Sequence, residues 1–254
     1  MHNTPELTDL APTASPVYTL DDLLYLMARL RSPEDGCPWD LKQSFQSIVP
    51  YTLEEVYEVV DAIEREDYPH LKEELGDLLF QVVFYTQLAE EQSLFEFSEV
   101  VSTLVEKLVV RHPHVFPDGS LHSKRKAGEP HADTDIKQNW EVIKRQARAE
   151  KGQKSMLADI PLSIPALARA AKLQKRAASC GFDWPTIEGV VDKLDEEVGE
   201  AKAAILDGNK AAIEEELGDV LFSVVNLCRH LGVDAEGALR QSSRKFEHRF
   251  AYIE

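Results

Sequence analysis

Cysteine is scarce in this 254-residue chain: Cys37, Cys180 and Cys228 are three in number and far apart. An odd, scattered set supplies neither a disulfide framework nor zinc-ligand spacing, and it fits a reducing cytoplasm. Basic residues are also short, 28 Lys and Arg against 45 Asp and Glu, for a formal charge of −17. That balance repels a phosphate backbone and argues against nonspecific nucleic-acid binding. A small phosphorylated ligand stays open if a cation neutralises it. No apolar run approaches the roughly 18 residues of a membrane span. The start, "MHNTPELTDLAPTASP", lacks the basic and apolar stretches of a signal peptide. No alternating β-branched run bounded by turns suggests a sheet. The expectation is a soluble cytoplasmic protein of all-α class, with no nucleic-acid or membrane partner. A hydrophobic content of 43% is enough for real cores.

What is present is a repeat. "EELGDLLF" at 73–80 returns as "EELGDVLF" at 215–222. Glu55 pairs with Glu197, Glu58 with Glu200, Glu74 with Glu216 and Asp77 with Asp219, always 142 residues apart. Upstream the offset becomes 143 and aligns Leu30 with Leu173, Cys37 with Cys180 and Asp40 with Asp183. One residue of slippage over so many positions marks a duplication.

The repeated segments carry helical periodicity. Leu53, Val56, Val59, Val60 and Ile63 recur at three- and four-residue steps, as do Leu71, Leu75, Leu78, Leu79 and Val82. "REDYPH" (65–70) and "ILDGNK" (205–210) interrupt the two halves and predict a helical hairpin in each. Further helices are expected over 20–31, 96–111, 135–150, 163–179 and 234–252. The polar stretch 117–135 reads as a linker between domains at 18–116 and 136–254. Its "KRK" is expected to be a solvated cluster, and His112 and His114 in "RHPHVF" a helix-ending turn.

Residues three apart share a helix face, so Glu55 and Glu58 project together, and so do Glu74 and Asp77. Packed antiparallel along their apolar stripes, the two helices would bring four carboxylates together beside the seam. Such groups repel unless protonated or neutralised. An oxygen-only set suits a hard divalent ion, Mg²⁺ or Mn²⁺. A di-iron bundle fits less well, because it wants Glu-x-x-His where Asp77 and Asp219 stand. One isolated Glu pair would be read as a solvated face. Eight carboxylates in register, the second set being Glu197, Glu200, Glu216 and Asp219, point to metal. Lys107 with Arg111, and Lys245 with Arg249, lie four apart on predicted helices and could grip phosphate. Lys193, one turn before Glu197, is a further candidate.

In this company "EEVYE…EELGD" and "EEVGE…EELGD" resemble the all-α nucleoside triphosphate pyrophosphohydrolases. "RLRSPEDGCPWD", "QVVFYTQLAEE", "VRHPHVF", "NWEVIK" and "CGFDW" are similar to the two-domain bacterial MazG proteins, from about residue 20 to 252. The resemblance implies two tandem helical bundles completed by homodimerisation. It also implies Mg²⁺-dependent hydrolysis of nucleoside triphosphates, ribo or deoxy, to monophosphate and pyrophosphate. It assigns metal binding to the eight carboxylates and makes the second half the main catalytic unit. Nucleotide contacts fall to Lys245 and Arg249 of "KFEHRF", and Lys144 of "NWEVIK" joins the candidates. Two departures lead to an expectation of weaker phosphate binding in the second half. Ala212 stands where relatives carry lysine, and the chain ends at Glu254 where some continue.

The expected chemistry is metal-assisted attack by water, with Glu196 or Glu215 accepting its proton. Two rivals share these motifs. One is a narrower enzyme for a single deoxynucleotide. The other is a non-catalytic nucleotide sensor or protein-interaction module, which binds without releasing pyrophosphate.

Overall fold

Helix α1 (Leu20–Leu30) begins where Thr19 and Asp22 close a capping box, each side chain satisfying the other's backbone N–H. The computed structural model describes residues 17–125, 143 and 155–254. Among them are eight α-helices and no strand. None of those helices is long and apolar enough to cross a membrane. The chain divides into two compact units, 1–140 and 141–254. Of the expected helix at 135–150 only residue 143 is described, and it is helical.

In the first unit, α2 (Phe45–Glu64) and α3 (Tyr68–Glu91) form the predicted hairpin, and α4 (Phe97–Arg111) follows. Helix α2 starts eight residues ahead of Leu53, the first residue of its apolar period. Ser44 caps it at Phe45, and Pro50 is tolerated inside the helix at the loss of one backbone hydrogen bond. Asp67 caps α3, where Pro69 sits in the first turn and leaves no interior donor missing. Helix α3 packs on α1, α2 and α4. The core lies there: Met27, Ile48, Val83, Phe84 and Leu88 are at most 2% exposed. Two hydrogen bonds cross the α2–α3 seam, Thr52 Oγ1 to Tyr85 Oη at 3.0 Å and Gln81 Nε2 to Glu55 Oε1 at 3.4 Å. The apolar stripes expected to fill this seam behave differently. Val56, Ile63, Leu75 and Val82 remain 39–53% exposed.

The second unit repeats the plan with α5 (Ala166–Ala178), α6 (Ile187–Asp207), α7 (Lys210–His230) and α8 (Ala235–Ala251). Gly208, at φ 73°, ends α6 in the left-handed region that an L side chain enters only with strain. Asn209 follows and caps α7 through Oδ1, which accepts from the N–H groups of Ala211 and Ala212. Helices α6 and α7 thus fold back on each other, and α5 packs on α7 and α8. His112 caps α4 with its N–H on Val109 O at 3.2 Å, the turn expected of "RHPHVF".

Candidate metal centres

Each hairpin gathers carboxylates by one local rule. Glu55 and Glu58 leave α2 on one face, and Glu74 meets them from α3. Ligand oxygens of these three lie within 4.8 Å of one another. Glu197 and Glu200 of α6 with Glu216 of α7 repeat the arrangement inside the same 4.8 Å. Glu74 and Glu197 are buried, Glu55 and Glu216 half-buried, Glu58 and Glu200 exposed. Asp77 and Asp219 are exposed and stand outside the triplets, yet close enough to act on them.

Burial raises the Glu55, Glu74 and Glu216 carboxyls above the usual range. Repulsion adds to it: Asp77, Glu58 and Glu74 act on Glu55, and Glu200, Asp219 and Glu197 act on Glu216. An oxygen-only set strained by its own charge fits a hard divalent cation, and both triplets meet that condition.

The chain's own cations differ between the copies. Lys193 Nζ lies 2.9 Å from Glu197 Oε1 and 3.1 Å from Glu196 Oε1, and these carboxylates push its pKa up. Tyr51 holds the equivalent place in α2 (193 − 142), edge-on to Trp39. On the first triplet His70 Nδ1 is 3.1 Å from Glu74 Oε1. Glu196 and Glu215 are exposed neighbours of the second triplet.

Beside that second triplet opens a cavity of about 690 Å³. Its lining joins Lys193, Glu197 and Asp219 to Phe182, Trp184 and Asn226. The helical repeat explains the combination on α7, since Asp219 and Asn226 are two turns apart on one face. Trp184 is seated against Gly189 of α6, where even a Cβ would come within 2.9 Å of its ring. In the first unit two of the corresponding positions are buried: Phe84 matches Asn226 and Gln81 matches Ser223. Sequence reasoning missed the cavity. Its signal was there in the register, as smaller or more polar residues at core positions of one copy.

The other expected phosphate ligands are not gathered here. Lys107 and Arg111 lie on α4, and Lys245 and Arg249 on α8, the last two exposed. None of the four belongs to a triplet or to the cavity lining. Lys144 lies outside the described residues.

A duplicated all-α chain with a hard-cation carboxylate cluster on each hairpin defines a class, the helical metal-dependent phosphoanhydride hydrolases. The sequence pattern of the MazG nucleotide pyrophosphohydrolase domain matches residues 43–116 and 186–252, one match per hairpin. The chain belongs to this MazG family. It is 52% identical to the nucleoside triphosphate pyrophosphohydrolase of Escherichia coli K12 over 239 residues, 92% of this chain and 87% of that protein. It is 44% identical over 234 residues to the Thermotoga maritima nucleoside triphosphate pyrophosphohydrolase/pyrophosphatase MazG, covering 92% and 85%.

Proposed function

We propose that this protein hydrolyses nucleoside triphosphates, ribo and deoxy, to the monophosphate and pyrophosphate in the cytoplasm, with the second unit doing most of the work. The observation that carries the reading is the cavity that adjoins Glu197, Asp219 and Lys193, where the first unit has Phe84 of its core in place of Asn226. The curated relatives' names support the same reaction.

Glu197, Glu200 and Glu216 with Asp219, and in the first unit Glu55, Glu58 and Glu74 with Asp77, would hold Mg²⁺, or Mn²⁺ as substitute. When bound, such an ion neutralises phosphate charge and acidifies water. The chain's own residues do the rest. Lys193 moves from Glu197 to the phosphates as the nucleotide enters. Glu196 or Glu215, solvated and outside the triplet, accepts the proton of the attacking water. Phe182 and Trp184 cover the base, an aromatic surface against which a planar ring stacks. Lys245, Arg249 and Lys144 add positive charge around the triphosphate, and Lys107 and Arg111 do so in the first unit. The chain acts as a homodimer. The half-exposed Val56, Ile63, Leu75 and Val82 support that reading, since apolar stripes of this kind are normally covered.

Pyrophosphate release from a panel of ribo- and deoxynucleoside triphosphates tests this, with Glu58→Ala and Glu200→Ala compared. Activity should collapse in Glu200→Ala and survive in Glu58→Ala. Loss confined to Glu58→Ala would transfer catalysis to the first unit, and full activity in both would remove the metal assignment.

A further inference from the structure

The cavity wall carries two amide side chains whose orientation the surrounding chemistry fixes. Arg229 donates to Asn226 Oδ1 from Nε at 3.1 Å and from Nη2 at 2.7 Å. Guanidinium has donors and no acceptor, so only the amide oxygen can face it. The Nδ2 group of Asn226 is therefore turned away from Arg229 as a donor. Arg229 is held in turn by Asp183, which accepts from both Nη1 and Nη2 and also pairs with His230 Nε2 at 3.0 Å. The second amide is Gln174 of α5, only 8% exposed. Its Nε2 donates to Phe222 O at 2.8 Å, which fixes Oε1 on the other side, where it is buried without a hydrogen-bond partner. A buried acceptor left unmet is costly, and a ligand that supplies a donor relieves the cost. Both residues line the cavity.

Position along α7 says which part of a nucleotide meets them. Asn226 lies seven residues beyond Asp219, a rise of about 10 Å. With the triphosphate at the carboxylates, that span crosses the sugar and reaches the far edge of the base. We propose that Asn226 and Gln174 select the base, Asn226 donating to a ring carbonyl and Gln174 accepting from the adjacent ring N–H. This assignment rests on the hydrolase reading of the second unit and adds a substrate class to it. The favoured substrates are 4-oxopyrimidine and 6-oxopurine triphosphates, those of uracil, thymine, guanine and hypoxanthine. Cytosine and adenine present an amino group beside a bare ring nitrogen, which sets donor against donor and acceptor against acceptor. Asp183 acts through Arg229 as a positioning residue.

The test compares kcat/KM for pyrophosphate release within two pairs, UTP against CTP and ITP against ATP, using the full chain. Each pair differs at this base edge alone, so triphosphate and metal contacts cancel. The native protein should favour the oxo member of both pairs by roughly tenfold or more. Asn226→Asp keeps the shape and the Arg229 pairing but replaces the donor by an acceptor, so the preference should fall or reverse. Asn226→Ala should bring both ratios close to one, and Asp183→Asn should lower them through Arg229. Where a variant turns over too slowly, calorimetric Kd ratios for the same pairs with Ca²⁺ carry the comparison. Ratios unchanged in Asn226→Asp and Asn226→Ala, or near one in the native protein, overturn the assignment. A native protein that binds these nucleotides but releases no pyrophosphate from any of them overturns the hydrolase reading instead, and the Kd ratios still judge Asn226.

Discussion

Asp183 shows how much can hang on one side chain. It accepts hydrogen bonds from Arg229 and His230, and these hold its carboxyl below its usual value of 3.8. A carboxyl depressed in the folded state stabilises the fold above its unfolded pKa, and that contribution is lost as pH falls through the lower, folded value. Asp183→Asn should lower neutral-pH stability by about 1.5–3 kcal/mol, the range for hydrogen bonds to a charged group. It should also flatten the stability profile below about pH 4. Urea denaturation of both proteins across that range measures each effect. From sequence, Asp183 was visible as the partner of Asp40 in the repeat, but its partners Arg229 and His230 were not, because they lie 46 and 47 residues away. Conversely, Asp40 does different work in the first copy, where its backbone oxygen accepts from buried Arg31. Equal positions in a duplication have not kept equal chemistry.

At the level of helices, periodicity located the elements and capping set their ends. Eight of the nine expected helical segments appear among the described residues, and in several of them amphipathic spacing and local caps agree, as with Thr19 before α1 and Asp234 before α8. Helix α2 extends ahead of the apolar period that opens at Leu53, through Pro50, because packing of Ile48 and Phe45 into the core outweighs one missing hydrogen bond. The Glu pairs of α2 and α6 were legible because a three-residue spacing fixes a shared face in any helix. The cavity was legible only by setting the two copies against each other, where Asn226 and Ser223 replace Phe84 and Gln81, because its extent depends on which side chains the packed helices leave out. Helix α7 carries Glu216, Asp219 and Asn226 from a start defined by Asn209. Asn209→Ala should therefore cost about 1 kcal/mol. Because the first turn of α7 frays, thermal denaturation should show a lower Tm, and divalent-cation affinity of the second unit should weaken more than that of the first.

Over the whole molecule, two charged clusters oppose folding until something neutralises them. The Glu55, Glu74 and Glu216 carboxyls are raised above their usual 4.5, so the folded chain takes up their protons more readily than the unfolded one. Their favourable contribution is present below the unfolded pKa and lost as pH rises through the raised folded values. A cation that binds only the folded state should compensate best where all three are ionised. Mg²⁺ should thus raise Tm more near pH 8 than near pH 5, and a chelator should abolish the difference. Combining Glu58→Ala with Glu200→Ala should shrink the Mg²⁺ increment at pH 8, as differential scanning calorimetry would register.

On the proposed metal assignment, Lys193 would make cation uptake in the second unit an exchange, whereas in the first Tyr51 brings no cation and it is His70 that stands against Glu74. A divalent ion held by the second triplet would replace an ammonium already paired with Glu197, so the net charge at that spot would change by one rather than two. The displaced ammonium is then the nearest counter-charge for whatever anion arrives next. Occupancy by metal would therefore ready the second copy for an anionic ligand through Lys193, a side chain whose equivalent in the first copy is the phenol of Tyr51.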